Sequence, residues 1–116
     1  MTSEAQRRGK QNRRKGHDFE REVARDLRKI FGQARRVPQY QKDHDSGDVS
    51  CPIIHPECKV GKAPNIRKAL EQAMETCPAG KWAVAVTRRT RKKALVTMRY
   101  EDFLDLIGAY WGAQGG

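Results

Sequence analysis

Apolar residues recur at helical spacing over three stretches of the chain and in short extended runs between them. Phe19, Val23, Leu27, Ile30 and Phe31 predict a first helix over about His17 to Phe31, closed by Gly32 as a left-handed cap. At about 100° per residue, Glu20 falls on the same line as Ala24, Leu27 and Phe31, whereas Glu22 falls well outside the stripe. An acid inside an apolar face needs a partner or a function. A second helix is expected from about Asn65, a good N-cap, to Cys77, with Ile66, Leu70, Ala73 and Cys77 as its buried stripe. A third runs from about Tyr100 to Trp111. Glu101 and Asp102 sit at its positive end, and Phe103, Ile107, Tyr110 and Trp111 face one way as core or dimer interface.

The extended runs lie between these helices. Ala34 to Tyr40 is basic and broken by Pro38, so it reads as an edge strand, and Gln41 to Gly47 as a polar loop. Asp48 to Ile54 and Glu57 to Val60 are expected as two strands of a hairpin turning around His55-Pro56. Lys81 to Thr87 carries the apolar run of a buried strand, and Ala94 to Arg99 follows it after a basic turn. The order is α-β-β-β-α-β-β-α, an α/β (α+β) fold with a mixed central β-sheet flanked by helices.

Charge changes the picture most. The 116 residues hold 24 Lys and Arg against 14 Asp and Glu, a formal net charge of +10. Such an excess points to a polyanion, most often nucleic acid. Eleven of the basic residues fall in two clusters, the segment 1–15 and the turn from Arg88 to Lys93. The first is expected to be a flexible arm ahead of a domain over residues 16–111, with 112–116 as a flexible tail. Arg7, Arg8, Arg13, Arg14, Lys15, Arg35, Arg36, Arg88, Arg89, Arg91, Lys92 and Lys93 are the candidate DNA contacts. The apolar fraction of 37% leaves only a small core. No run approaches the ~18 apolar residues that a membrane span requires, and no apolar stretch follows the basic start as in a secretory signal. Three cysteines at irregular spacing argue for buried thiols in a reducing compartment rather than a disulfide scaffold or a zinc site. A cytoplasmic location is expected.

The chemistry concentrates in Asp48 and in Glu57-Cys58-Lys59. Strand alternation puts Glu57 and Lys59 on one face and turns Cys58 away. Asp48, on the neighbouring strand, would add a second carboxylate. Acids held together repel unless a cation lies between them, and hard oxygen donors of this kind suit Mg²⁺ or Mn²⁺. A lysine beside them suits a phosphate or an attacking hydroxide. Glu20 would supply a third acid. The bland alternative is a surface hairpin with an ordinary cross-strand ion pair, and for Glu20 a pairing with an arginine. His44 reads as a solvated loop residue, and nothing marks His17 as catalytic.

The pattern Gly16-His-Asp-Phe19-Glu20-Arg21-Glu22, then Gly47-Asp48-Val49, then Glu57-Cys58-Lys59, resembles the PD-(D/E)XK nuclease superfamily. Within it, the chain is similar over about residues 13–107 to archaeal-type and phage Holliday-junction resolvases. The resemblance implies a restriction-endonuclease-like core and a Mg²⁺-dependent endonuclease that cuts branched DNA as a homodimer. It implies a metal held by Asp48, Glu57 and Glu20, with Lys59 aiding the nucleophile or transition state. It also implies a helix-2 residue facing the site, matched by Gln72 or Lys68. Gly47 stands where the superfamily name has proline. A related nuclease for nicked, flapped or linear DNA, or a non-catalytic basic nucleic-acid-binding module, are the alternatives.

Overall fold

A computed structural model describes residues 3–38 and 48–116. The expected loop over 41–47, with His44, lies outside the described residues. The elements are α1 (Glu4–Phe31), β1 (Arg35–Arg36), β2 (Val49–Ser50), β3 (Ile54–Gly61), α2 (Ile66–Thr76), β4 (Trp82–Arg89), β5 (Leu95–Thr97) and α3 (Tyr100–Ala113). The order is the expected one, and the fold is mixed α+β, consistent with a restriction-endonuclease-like core.

α1 begins thirteen residues before the expected His17, so residues 4–15 are helical rather than a disordered arm. A capping box explains the early start. Ser3 Oγ accepts from the Gln6 backbone N–H at 3.1 Å, and Gln6 Oε1 accepts from the Ser3 N–H at 2.9 Å. The arginines, lysines and glutamines that follow are good helix formers. Ser3-x-x-Gln6 was the sequence signal for this start. The helix ends where expected, with Gly32 left-handed at φ 75° and its N–H on the Arg28 carbonyl.

The expected hairpin around His55-Pro56 does not form. Both residues lie inside β3, and the chain turns earlier, at Pro52-Ile53, where Ile53 adopts φ 73°. β3 pairs in parallel with β4, from Ile54 against Trp82 to Gly61 against Arg89. A parallel pair requires a crossover, and α2 supplies it. Pro56 is tolerated because β3 is the edge of the three-stranded ladder β3-β4-β5. β5 runs antiparallel to β4. β1 and β2 form a separate antiparallel pair, Arg35 opposite Ser50 and Arg36 opposite Val49. The Asp48 backbone ties that pair to the larger ladder. Its N–H reaches the Pro56 carbonyl at 3.3 Å, and its own carbonyl accepts from Val37 at 2.9 Å.

The core lies between α1 and the sheet. Phe19, Val23 and Ala24 pack with Val49, Cys51, Cys58, Val84 and Val86. On the other sheet face, α2 buries Ala69 and Ala73 fully, while Ile66, expected in its stripe, is exposed. Small residues let the helix approach the ladder closely. α3 differs from its expectation more strongly. Phe103, Ile107, Tyr110 and Trp111 are 45–67% exposed, and Asp102, gripped by Arg99 at 3.0 and 3.1 Å, is its buried residue. The stripe is real, but nothing within the described residues covers it. No helix among the described residues is long and apolar enough to cross a membrane.

Candidate active site

β3 delivers Glu57 and Lys59 to one face. Lys59 Nζ stands 3.9 Å from Glu57 Oε1, and Cys58 between them points into the α1-side core. By alternation Glu57 and Lys59 share the face of His55, whose Nε2 lies 2.8 Å from Thr76 Oγ1 on α2. Asp48 is fastened beside them. It is 3% exposed, and its Oδ2 accepts from the Cys58 N–H at 2.7 Å. A charge-assisted bond of this length fixes the carboxylate against the centre of the Glu57-Cys58-Lys59 segment. The expected hairpin is absent, yet Asp48 still reaches the Glu57-Cys58-Lys59 segment, at the Cys58 N–H. The missing ladder is replaced by two bonds from Asp48 to β3, one from the backbone and one from the side chain.

Glu20 has another engagement. Its Oε2 accepts from Arg36 Nε at 2.7 Å, with both side chains largely shielded. This is the arginine partner weighed from the sequence, and it explains an acid on the apolar face of α1. Glu22 accepts from Arg88 at 2.7 Å, and the same guanidinium lies 4.5 Å from the centre of the Phe19 ring. The sequence does not identify Arg36 or Arg88 as these partners, because residues 16 and 66 positions apart carry no local signal. Among the described residues, no three Asp, Glu, His or Cys side chains form a group able to hold a metal.

α2 separates its two candidates. Lys68 is exposed, whereas Gln72 is half-buried and its Oε1 is buried without a hydrogen-bond partner among the described residues. A buried acceptor in that state costs about 1–3 kcal/mol unless a donor reaches it.

Cys51 is buried, and desolvation pushes its thiol upward, partly offset by the Lys81 ammonium. Lys81 Nζ donates to the Cys51 carbonyl at 2.9 Å. Cys51 and Cys58 sit in the α1-side core, while His55 bonds Thr76 across the sheet, so these ligand-type residues do not form a zinc site.

The two basic clusters meet on one flank of α1. Lys15 lines a recess of about 350 Å³ with Arg88, Arg91 and Lys92 of the β4–β5 turn. The helical start of α1 makes this possible by holding Lys15 on a rigid element. Arg36 and Arg88 are committed to Glu20 and Glu22, while Arg91, Lys92 and Lys93 are exposed.

A family model described as "Phage putative PDDEXK endonuclease" matches residues 11–109. Neither the curated proteins nor the solved structures contain a match. The family match takes in most of α1, the Asp48 turn, the Glu57-Cys58-Lys59 strand and most of α3, and on that basis the protein belongs to this phage PDDEXK endonuclease family.

Proposed function

We propose that the protein is a divalent-metal-dependent DNA endonuclease with Asp48, Glu57 and Lys59 as its catalytic set. The observation that carries this reading is the 2.7 Å bond from the Cys58 N–H to Asp48, which seats a buried carboxylate beside Glu57 and Lys59. Two carboxylates suit Mg²⁺ or Mn²⁺, which commonly keep several waters and take one or two acids. When bound, the ion would polarise a phosphoryl oxygen and supply a water of lowered pKa. Lys59, 46% exposed at its side chain, is placed to hold a phosphate oxygen or the attacking hydroxide. Gln72 offers its buried oxygen to a donor at the same sheet face. Glu20 joins the acids only if Arg36 releases it, so we assign it a supporting role. The exposed basic residues, Lys15, Arg91, Lys92 and Lys93 foremost, would hold the flanking phosphates through counterion-releasing contacts.

We further propose branched DNA, in particular a Holliday junction, as the substrate, and a homodimer as the working form. The chain supplies two complementary apolar surfaces for that dimer. Seven large apolar residues of α3 are more than a third exposed. A recess of about 340 Å³ lies beside the helix, with Leu27, Ala94, Val96, Met98 and Leu106 around its mouth, Glu22 and Asp26 at its side and the buried Phe19 and Val84 at its floor. With ~100 Å² from each of the seven, α3 would bury about 700 Å² per partner, close to the ~800 Å² of a standard interface. A second copy reciprocates such a contact by two-fold symmetry. Light scattering should give a dimer for the wild-type protein, and Leu104→Asp with Ile107→Asp should give a folded monomer. A monomeric wild-type protein would sink the dimer.

The substrate is tested by incubating labelled four-way junction, flap and linear duplex with the protein and Mg²⁺. Paired nicks at symmetric positions in the junction are expected. Equal cutting of flap or linear DNA would assign a different nuclease, and binding without cleavage in any metal would leave a DNA-binding module instead.

A further inference from the structure

The solvent half of α1 carries one stripe of a single charge sign. Arg7, Lys10, Arg14, Arg21, Arg25 and Arg28 recur at three- and four-residue steps, with His17 filling the one gap. At helical pitch these six fall within about 60° of one another, on the side away from Phe19 and Val23. Glu4, Asp18, Glu22 and Asp26 occupy the adjoining sector of about 80°, mixed there with Arg8, Lys15 and Lys29. No acid falls inside the basic sector. Random decoration of a solvated helix would mix the signs, and i,i+4 pairing would reward mixing. Like charges stacked along one helix edge instead repel, which is tolerable where an external anion offsets them.

The acidic sector faces the β4–β5 turn, as the pair Glu22–Arg88 shows. The basic sector therefore adjoins the Lys15, Arg91 and Lys92 recess, about 90° further round the helix, with Asp18 between them. Along the basic sector Arg21, Arg25, Arg28 and Arg36 line a groove of about 460 Å³, shared with Asp18, Glu22 and Ala24. Arg28 also borders a neighbouring recess with Arg35 and Lys81. Asp18 and Glu22 are already paired, with Arg21 and Arg88. From Arg7 to Arg28 the stripe runs roughly 31 Å, close to one turn of duplex DNA.

We propose that this face of α1 is a second backbone-binding track, which takes a duplex DNA segment separate from the one held at the β4–β5 turn. The proposal rests on the reading of the protein as a DNA-binding nuclease and extends it. One chain then grips two duplex segments on adjoining faces of one helix, which a branched substrate provides and a short linear duplex does not.

The test measures binding of a four-way junction in EDTA, so that cleavage plays no part, as a function of salt. Lys10→Gln with Arg25→Gln removes two exposed charges from the stripe. Lys29→Gln with Arg67→Gln removes two exposed charges elsewhere. Circular dichroism checks that both variants remain folded. At about 0.9 per lost phosphate contact, the stripe variant should lower the log–log salt slope by about 1.8, and the control should leave it unchanged. That is roughly a twelvefold smaller affinity loss between 50 and 200 mM salt. Equal effects from both variants, or no effect from the stripe variant while the wild type binds, overturn the track alone. A wild-type protein that does not bind DNA overturns the nuclease reading with it.

Discussion

Replacing Asp48 by asparagine is expected to slow DNA cleavage by about a thousandfold or more while leaving the protein folded. Asparagine keeps an acceptor for the Cys58 N–H, the contact that holds this residue at 2.7 Å, so the link between the Asp48 turn and β3 survives. What disappears is the negative charge needed to retain a divalent ion beside Glu57. Losing several kcal/mol of metal-derived stabilisation of the transition state corresponds to three or more decades in rate. Asp48→Ala is a different experiment. It leaves the buried Cys58 N–H without its partner and should add about 1–3 kcal/mol of destabilisation to the catalytic defect. Comparing single-turnover rates and urea midpoints for the two variants separates chemistry from folding. An asparagine variant that cuts at the wild-type rate would remove Asp48 from the site.

The largest effect on stability is expected from Phe19→Ala. Phe19 is 1% exposed and stands at the centre of the α1-side core. Its loss should cost about 3–5 kcal/mol, combining lost transfer energy with the cavity left behind. The Arg88 guanidinium would also lose the ring it lies over at 4.5 Å. A domain of this size has only about 5–15 kcal/mol to lose, and this core is built largely of alanine, valine and cysteine. The variant should therefore unfold at a clearly lower urea midpoint with an unchanged slope. A shift under 1 kcal/mol would mean that the core is not organised around this ring.

These two residues also show where the sequence was legible. Phe19 announces itself by periodicity, because burial repeats every 3.6 residues. The facing of Glu57 and Lys59, with Cys58 turned inward, follows from strand alternation alone. Asp48 was paired correctly with that segment through a hairpin that does not exist. Local spacing cannot tell a hairpin from two strands whose partners lie elsewhere, and β3 takes its ladder partner, β4, from across α2. Glu20 was noticed as an acid on an apolar face, but its engagement with Arg36 is a tertiary fact that no local pattern encodes. The early start of α1 is spelled by the capping box of Ser3 and Gln6, a local hydrogen-bond signal that the high charge of residues 7–15 masks. The apolar stripe of α3 was read correctly as a pattern. Whether such a stripe meets core or a second chain depends on packing, which periodicity does not specify.

The central claim is that Asp48 and Glu57 serve a divalent ion in phosphodiester cleavage. The most direct measurement follows the nicking of a labelled four-way junction by the wild-type protein as Mg²⁺ is titrated in, beside Asp48→Asn and Glu57→Gln. Nicking should saturate with Mg²⁺ in the wild type, stop in EDTA and be absent from both variants. Nicking that persists in EDTA, or that either variant performs at the wild-type rate, would contradict it.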